Sequence, residues 1–279
     1  MSKKLLMTHG LKFHPFRGDV PLDALYVPPA VDVFCRRLEL SPGDGGFALV
    51  TGDPGTGKSV ALRLLTQRLR AQRDVVVGVL DHPQSRVADF YRELGDLFGV
   101  PLQTHNRWGG FKALRARWSE HIASTLARPV LIIDEAQQML DAVFSELRLL
   151  ASKDFDSRAL LCVVFAGDAR LVDRLRHPEL MPLGSRIRRR LTIDYASRDE
   201  LLACLDHLLD AAGNGALMTD ELKTTLVDHA AGNYRVLMNL ADELLTTAVE
   251  RDLPRLDEKL YLEVFAPPAK KLAAGTKKR

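Results

Sequence analysis

Residues 47–60, FALVTGDPGTGKSV, decide how the rest of the chain is read. The apolar run 47–50 reads as a short buried strand. Val60, Leu62, Leu64, Leu65 and Leu69, with Arg63, Gln67 and Arg68 between them, continue as a helix. Between the two lie Gly52, four residues, and then Gly57-Lys58-Ser59, which is P-loop spacing in the strand–loop–helix context the motif requires. The glycines let consecutive N–H groups turn toward one anion, and the helix N-terminus adds its partial positive charge there. Gly52, Asp53, Pro54, Gly55, Thr56, Gly57, Lys58, Ser59 and Val60 are therefore expected to cradle the phosphates of ATP. Lys58 would reach the β- and γ-phosphates, and the Ser59 hydroxyl would ligate Mg²⁺.

Further apolar runs extend the pattern. Residues 74–80, 130–133, 160–165 and 191–193 read as strands, with helical spacing at 87–98, 111–126 and 136–152. Strands that alternate with helices form a parallel sheet, with the ligand at the carboxyl ends of its strands. After residue 197 only amphipathic helices remain, at 198–212, 219–231, 234–250 and 257–265. The expected organisation is a lead-in at 1–46 that packs on the nucleotide-binding core, an α/β domain at 47–196, a helical domain at 197–266 and a basic tail at 267–279.

The run Ile132-Ile133-Asp134-Glu135 closes a buried strand with two carboxylates. Asp134, at the strand end beside the P-loop, is placed to hold Mg²⁺ through water. Glu135 points elsewhere and suits a general base for the attacking water. A strand end followed by an acidic helix cap is the competing reading.

Composition narrows the class. The 279 residues carry a net charge of +3, and 46% are hydrophobic, as in an ordinary globular protein. Basic residues cluster at Arg186, Arg188, Arg189 and Arg190 and again in the tail. Three well-separated cysteines, Cys35, Cys162 and Cys204, match no metal spacing and suggest reduced thiols in a bacterial cytoplasm. No run approaches the roughly 20 apolar residues of a membrane span, so no membrane partner is expected.

With these motifs in hand, the chain resembles an AAA+ ATPase. The opening GLKFHPF, DEAQ at 134–137, FAGDARL at 165–171 and GNYRVLMNLADELL at 232–245 resemble the ExeA/GspA-like branch, which also holds transposition regulators of the TnsC, TniB and MuB kind. The resemblance implies a five-stranded parallel AAA+ sheet flanked by helices, followed by a small helical lid. It implies a sensor role for Asp168, where relatives more often carry an amide, and for Arg235 in the lid, which could also simply flank its helix. It places an arginine finger at Arg186, or at one of its three neighbours, acting on the next subunit of a ring or filament. It also implies double-stranded DNA as partner, contacted without sequence preference by Asn106, Arg107 and Lys112, and a transposase recruited there. The stripe Phe111, Leu114, Trp118 and Ile122 marks the same segment as partly core-facing. A secretion ATPase of the ExeA kind is the alternative. Such proteins generally continue into a membrane span and a cell-wall region, whereas this chain ends after its lid, which favours the DNA expectation. A nucleotide-dependent scaffold with little turnover is the third reading.

Overall fold

A computed structural model describes residues 2–40, 46–80, 82–100, 107–125, 128–154 and 157–265. The chain forms two compact units, one of residues Val27–Tyr195, the other of Met1–Tyr26 with Ala196–Arg279.

The first unit is built on a five-stranded parallel sheet. Its strands belong to a set of seven in chain order: β1 (Gly46–Gly52), β2 (Val75–Leu80), β3 (Arg128–Ile133), β4 (Ser152–Lys153), β5 (Arg158–Ala159), β6 (Cys162–Gly167) and β7 (Ile187–Ile193). The sheet order is β2-β3-β6-β1-β7, and β4 and β5 form a separate hairpin. Successive side chains on a strand face opposite sides. Ala48 and Val50 of β1, Val130 and Ile132 of β3, and Val164 of β6 therefore form one core with helices α2 (Pro29–Leu40) and α3 (Lys58–Arg70). Phe47 and Leu49, Leu131 and Ile133, and Val163 and Phe165 form the other. That core is closed by α4 (Val87–Phe98), α5 (Arg107–Thr125), α6 (Asp141–Leu150), α7 (Ala169–Arg176) and α8 (Met181–Gly184). A sheet apolar on both faces needs helices on both, which is why these strands read as unbroken apolar runs.

Phe165 is the centre of the second core. Its ring stacks on Phe47 with centroids 5.8 Å apart and lies 5.3 Å from Phe144. Phe165→Ala is expected to destabilise this unit by about 3–5 kcal/mol, measured by denaturant unfolding.

Three elements differ from the sequence reading. The expected helix over 136–152 is broken into a short 3₁₀ turn (Ala136–Gln138) and α6, because the chain leaves β3 through a left-handed residue at Glu135 and buries Met139. The last strand begins at Ile187 rather than at Leu191. It is the edge strand, and its burial alternates, so Ile187, Leu191 and Ile193 face inward while Arg188 and Arg190 are exposed. Arg188, Arg189 and Arg190 thus lie within the strand, and Arg186 just before it. The lead-in is also not one segment on the nucleotide-binding core, since it divides at Tyr26/Val27.

Its second part, α2, does pack on the α/β unit. Val31, Phe34, Cys35 and Leu38 meet Leu62 and Leu65 of α3, and Arg68 bonds Asp32 at 2.8 Å. Its first part, which begins with helix α1 (Ser2–His9), joins the helical unit of α9 (Arg198–Ala212), α10 (Asp220–Ala230), α11 (Tyr234–Glu250) and α12 (Glu258–Phe265). Leu11 and Phe16 enter the core of that unit beside Leu205, Leu209, Leu237 and Leu244. The Lys12 N–H donates to Ala212 O at 2.8 Å, and His14 Nε2 lies 3.0 Å from Asp242 Oδ1. Ser197 and Glu200 form a reciprocal capping box at the start of α9, and the Thr219 hydroxyl accepts from Leu222 N to start α10.

Among the described residues, no helix is long and apolar enough to cross a membrane. Cys35, Cys162 and Cys204 are buried, and none forms a disulfide among the described residues. Burial pushes the Cys35 thiol up to about 11 and that of Cys204 to about 12, which disfavours the reactive thiolate.

Candidate functional site

In a parallel sheet all carboxyl ends share one edge, so residues distant in sequence meet there. β1 delivers the P-loop, β3 delivers Asp134 and Glu135, and β6 delivers Asp168. Gly57 caps α3 at φ 108 and Gly55 stands at φ 87, in the left-handed region that favours glycine; that turn sets Lys58 and Ser59 at the start of the helix. The Thr56 hydroxyl ties the loop by donating to Asp53 O at 2.9 Å.

Lys58 is only 7% exposed, and its ammonium donates to Gly52 O at 2.8 Å and to Asp53 O at 3.0 Å. A buried cation with no carboxylate partner among the described residues, at the end of a glycine loop and the start of a helix, suits an incoming polyphosphate. The Ser59 hydroxyl donates to Asp134 Oδ2 at 3.3 Å, so the two expected Mg²⁺ ligands are adjacent. Asp134 Oδ1 accepts from the Glu135 N–H at 2.8 Å, which orients the carboxylate. Among the described residues, no cluster of three or more His, Cys, Asp or Glu side chains could hold a metal by itself. One hydroxyl and one carboxylate match a Mg²⁺ that takes its remaining ligands from phosphate and water.

Glu135 is exposed beside Asp134, and its Oε2 accepts from Gln137 Nε2 at 2.6 Å. Asp168 caps α7 by accepting from Arg170 N at 3.0 Å, and both of its oxygens also accept from the Arg170 guanidinium. That guanidinium holds the Asp168 carboxyl below the usual carboxylate range; the backbone bond and the charge of Lys58 act in the same direction. Asp168 is therefore already engaged, which leaves it less free to steer a water than its strand-end position suggests.

Beside the P-loop lies a cavity of about 360 Å³, lined by Asp53, Thr56, Arg176, Asp194 and Tyr195 among others. The Asp53 carboxylate raises the Tyr195 phenol above its ordinary range. Sequence reading placed Asp53 and Thr56 in the P-loop but assigned no role to Arg176, Asp194, Tyr195 or Gln137. The visible signal for Gln137 was a buried-type pattern, Ala136 and Met139, around a polar residue just past a strand end.

Of the remaining expected residues, Arg186 lies apart from this edge. Arg186 precedes Ile187, which pairs with Phe47 at the opposite end of β1 from Gly52. At ~3.3 Å per residue, the span of β7 puts Arg186 roughly 20 Å from its own P-loop. Its guanidinium bonds Pro182 O, and that of Arg190 bonds Gly184 O at 3.2 Å. Arg235 is exposed in the first turn of α11, which Asn233 caps.

Lys112 is exposed on α5, with Nζ 5.1 Å from the centroid of Trp108, itself 63% exposed and stacked on Phe111. Arg115 covers the Phe111 ring at 5.0 Å. Leu114 and Trp118 are buried, as the core-facing stripe required. Arg107 opens α5, and Asn106 lies outside the described residues.

Comparison with known proteins agrees with this geometry. Residues 41–175 match the family described as AAA domain. Over 211 residues the chain is 31% identical to General secretion pathway protein A of Aeromonas hydrophila, a match that covers 74% of this chain and 38% of that protein. The chain thus spans well under half the length of that curated relative. Among solved structures it is similar to the Aeropyrum pernix ORC2 protein in its ADPNP–ADP complexes, with TM-score 0.67, 14% identity, and 90% of this chain and 70% of that one covered. It is also similar to the Aeropyrum pernix ORC1 protein in complex with DNA, with TM-score 0.64, 17% identity, and 90% and 67% covered. The resemblance to the ExeA/GspA-like branch has its counterpart in the first of these relatives, and the fold in the other two. The chain has an AAA+ fold like that of the ORC proteins it resembles, and its residues 41–175 match the AAA domain family.

Proposed function

We propose that this protein hydrolyses ATP, oligomerises on duplex DNA in its ATP-bound state, and through that assembly recruits or regulates a transposase. The observation that carries the ATPase part is the meeting of Lys58, Ser59, Asp134 and Glu135 at one sheet edge. Lys58 would exchange its two carbonyl partners for β- and γ-phosphate oxygens, while Ser59 and Asp134 hold Mg²⁺. The metal supplies charge neutralisation on the phosphate oxygens. Glu135 accepts a proton from the water that attacks the γ-phosphorus; the bond to the β–γ bridging oxygen breaks, leaving ADP and phosphate. Arg235 is the nucleotide-sensing arginine of the helical unit, and Asp168 could help place the water only by releasing the Arg170 guanidinium. The distance of Arg186 from its own P-loop supports a finger that serves a second copy, and hence a ring or filament.

The DNA part rests on the α5 face, where Lys112 lies over the exposed Trp108 and Arg115 over Phe111, on which Trp108 stacks. Arg107, at the start of α5, and Asn106, outside the described residues, are proposed as further phosphate contacts. Such a face neutralises phosphates without reading bases. A second reading, an envelope-assembly ATPase, is supported by the 31% identity to General secretion pathway protein A.

Binding of the protein to a random-sequence duplex, with ATP, ADP or a non-hydrolysable analogue, separates them. Assemblies visible by negative-stain microscopy only with the triphosphate are expected. Neutralising Lys112 and Arg115 together should reduce the slope of log affinity against log salt by about 2, roughly 0.9 per phosphate contact. Failure to bind DNA in any nucleotide state, with ATP still bound, would remove the DNA reading and favour the envelope one.

A further inference from the structure

The hydrogen bond between Gln137 and Glu135 is the feature that the ATPase reading leaves unexplained. Glu135 sits at φ 52, a conformation that L-residues seldom adopt. The following 3₁₀ turn, closed by Gln138 N donating to Glu135 O at 2.9 Å, swings Gln137 back so that its Nε2 donates to Glu135 Oε2. Gln137 is 8% exposed, and its Oε1 has no hydrogen-bond partner among the described residues. An unpartnered buried amide oxygen is costly, and packing alone would be served better by an apolar side chain. The amide is therefore at this position for its N–H group.

The surroundings lock it. Arg174 Nη1 donates to the Gln137 carbonyl at 2.6 Å, and Arg174 is itself held by Asp141 and lies over the Phe144 ring. On the other side the chain is glycine at the end of β6. A Cβ at Gly167 would come within 2.5 Å of Gln137 Oε1. Gln137 is thus held by α7 through its main-chain carbonyl, with its side-chain amide against the last residue of β6.

We propose that Gln137 is the positioning residue of the general base. By occupying Oε2, it holds the otherwise exposed Glu135 carboxylate in one rotamer and leaves Oε1 to accept the proton of the attacking water. A hydrogen bond to a charged group is strong enough to select one orientation of a flexible side chain. This inference rests on Glu135 being the base, and its test is designed to separate the two.

The experiment compares steady-state and single-turnover ATP hydrolysis by wild type, Gln137→Met, Glu135→Gln and the double variant, with ATP affinity and thermal unfolding measured alongside. Gln137→Met keeps the length but removes the donor. Its kcat is expected to fall roughly tenfold to a hundredfold, the worth of a hydrogen bond to a charged group, with KM for ATP unchanged. In the Glu135→Gln background the same change should cost nothing further, because the group it positions is gone. Gln137→Glu, nearly isosteric, sets a carboxylate against Glu135 and should lose at least as much; it keeps the test open if the Met variant unfolds. An unchanged kcat in Gln137→Met overturns the inference. So does an equal loss in both backgrounds, which marks a structural role. If Glu135→Gln alone hydrolyses like wild type, the base assignment fails first, and the positioning role fails with it.

Discussion

Arg186→Ala is expected to lower kcat for ATP hydrolysis by about 10³–10⁵-fold, the range associated with an arginine finger, and to leave ATP affinity intact. The reason is topological. Arg186 stands at the amino end of the edge strand β7, whereas the P-loop leaves the carboxyl end of its neighbour β1. In a parallel pair those ends are separated by the whole strand, so the guanidinium cannot reach the phosphates of its own subunit. If it acts on phosphate at all, it acts on that of another copy. Mixing supplies the check. Lys58→Ala removes the phosphate-binding ammonium but keeps Arg186, and Arg186→Ala does the reverse; each alone should be inactive. Combined, they should regain hydrolysis at interfaces where an intact P-loop faces an intact arginine. Full activity of Arg186→Ala removes it as the finger and shifts the test to Arg188, Arg189 and Arg190. Loss without recovery on mixing removes action between subunits.

The second large effect is at Glu135. Glu135→Gln should reduce kcat by roughly 10²–10⁴-fold, the contribution of a positioned general base. It should preserve ATP binding, because on the proposed reading the P-loop would hold the phosphates and Ser59 and Asp134 would hold Mg²⁺. The amide is close in size to the carboxylate but cannot take a proton from water. The ATP-bound form should therefore accumulate, and any ATP-dependent assembly should persist where wild type disassembles. Wild-type turnover by this variant would return Asp134-Glu135 to a strand end and helix cap.

Much of the nucleotide site was legible because its determinants are local. P-loop spacing, the apolar run before it and the helical period after it lie within residues 47–69, and Asp134 and Glu135 follow directly from a buried strand. Parallel pairing then forces the carboxyl ends together, so Ser59 and Asp134 meet although 75 residues separate them. The arginine run at 186–190 was harder to read. Four arginines among five residues hide the alternation that an edge strand needs, and only pairing with β1 shows which of them face outward. The opening segment misled for a similar reason. Leu11 and Phe16 are apolar residues without periodicity, and nothing near them in sequence says that they fill a core formed by helices after residue 196.

The sequence by itself determined that a P-loop ends one strand, that a carboxylate pair ends another, and that an α/β region precedes a helical one. Each of these is written in patterns a few residues long, and backbone geometry converts such patterns into structure without reference to distant parts of the chain. Only the tertiary structure decided that Arg170 occupies Asp168, that the first 26 residues belong with the helical unit, and that Gln137 grips Glu135. The grip on Glu135 depends on a left-handed residue, a glycine at the end of β6 and an arginine on α7. Those three come together only when β3 and β6 lie side by side.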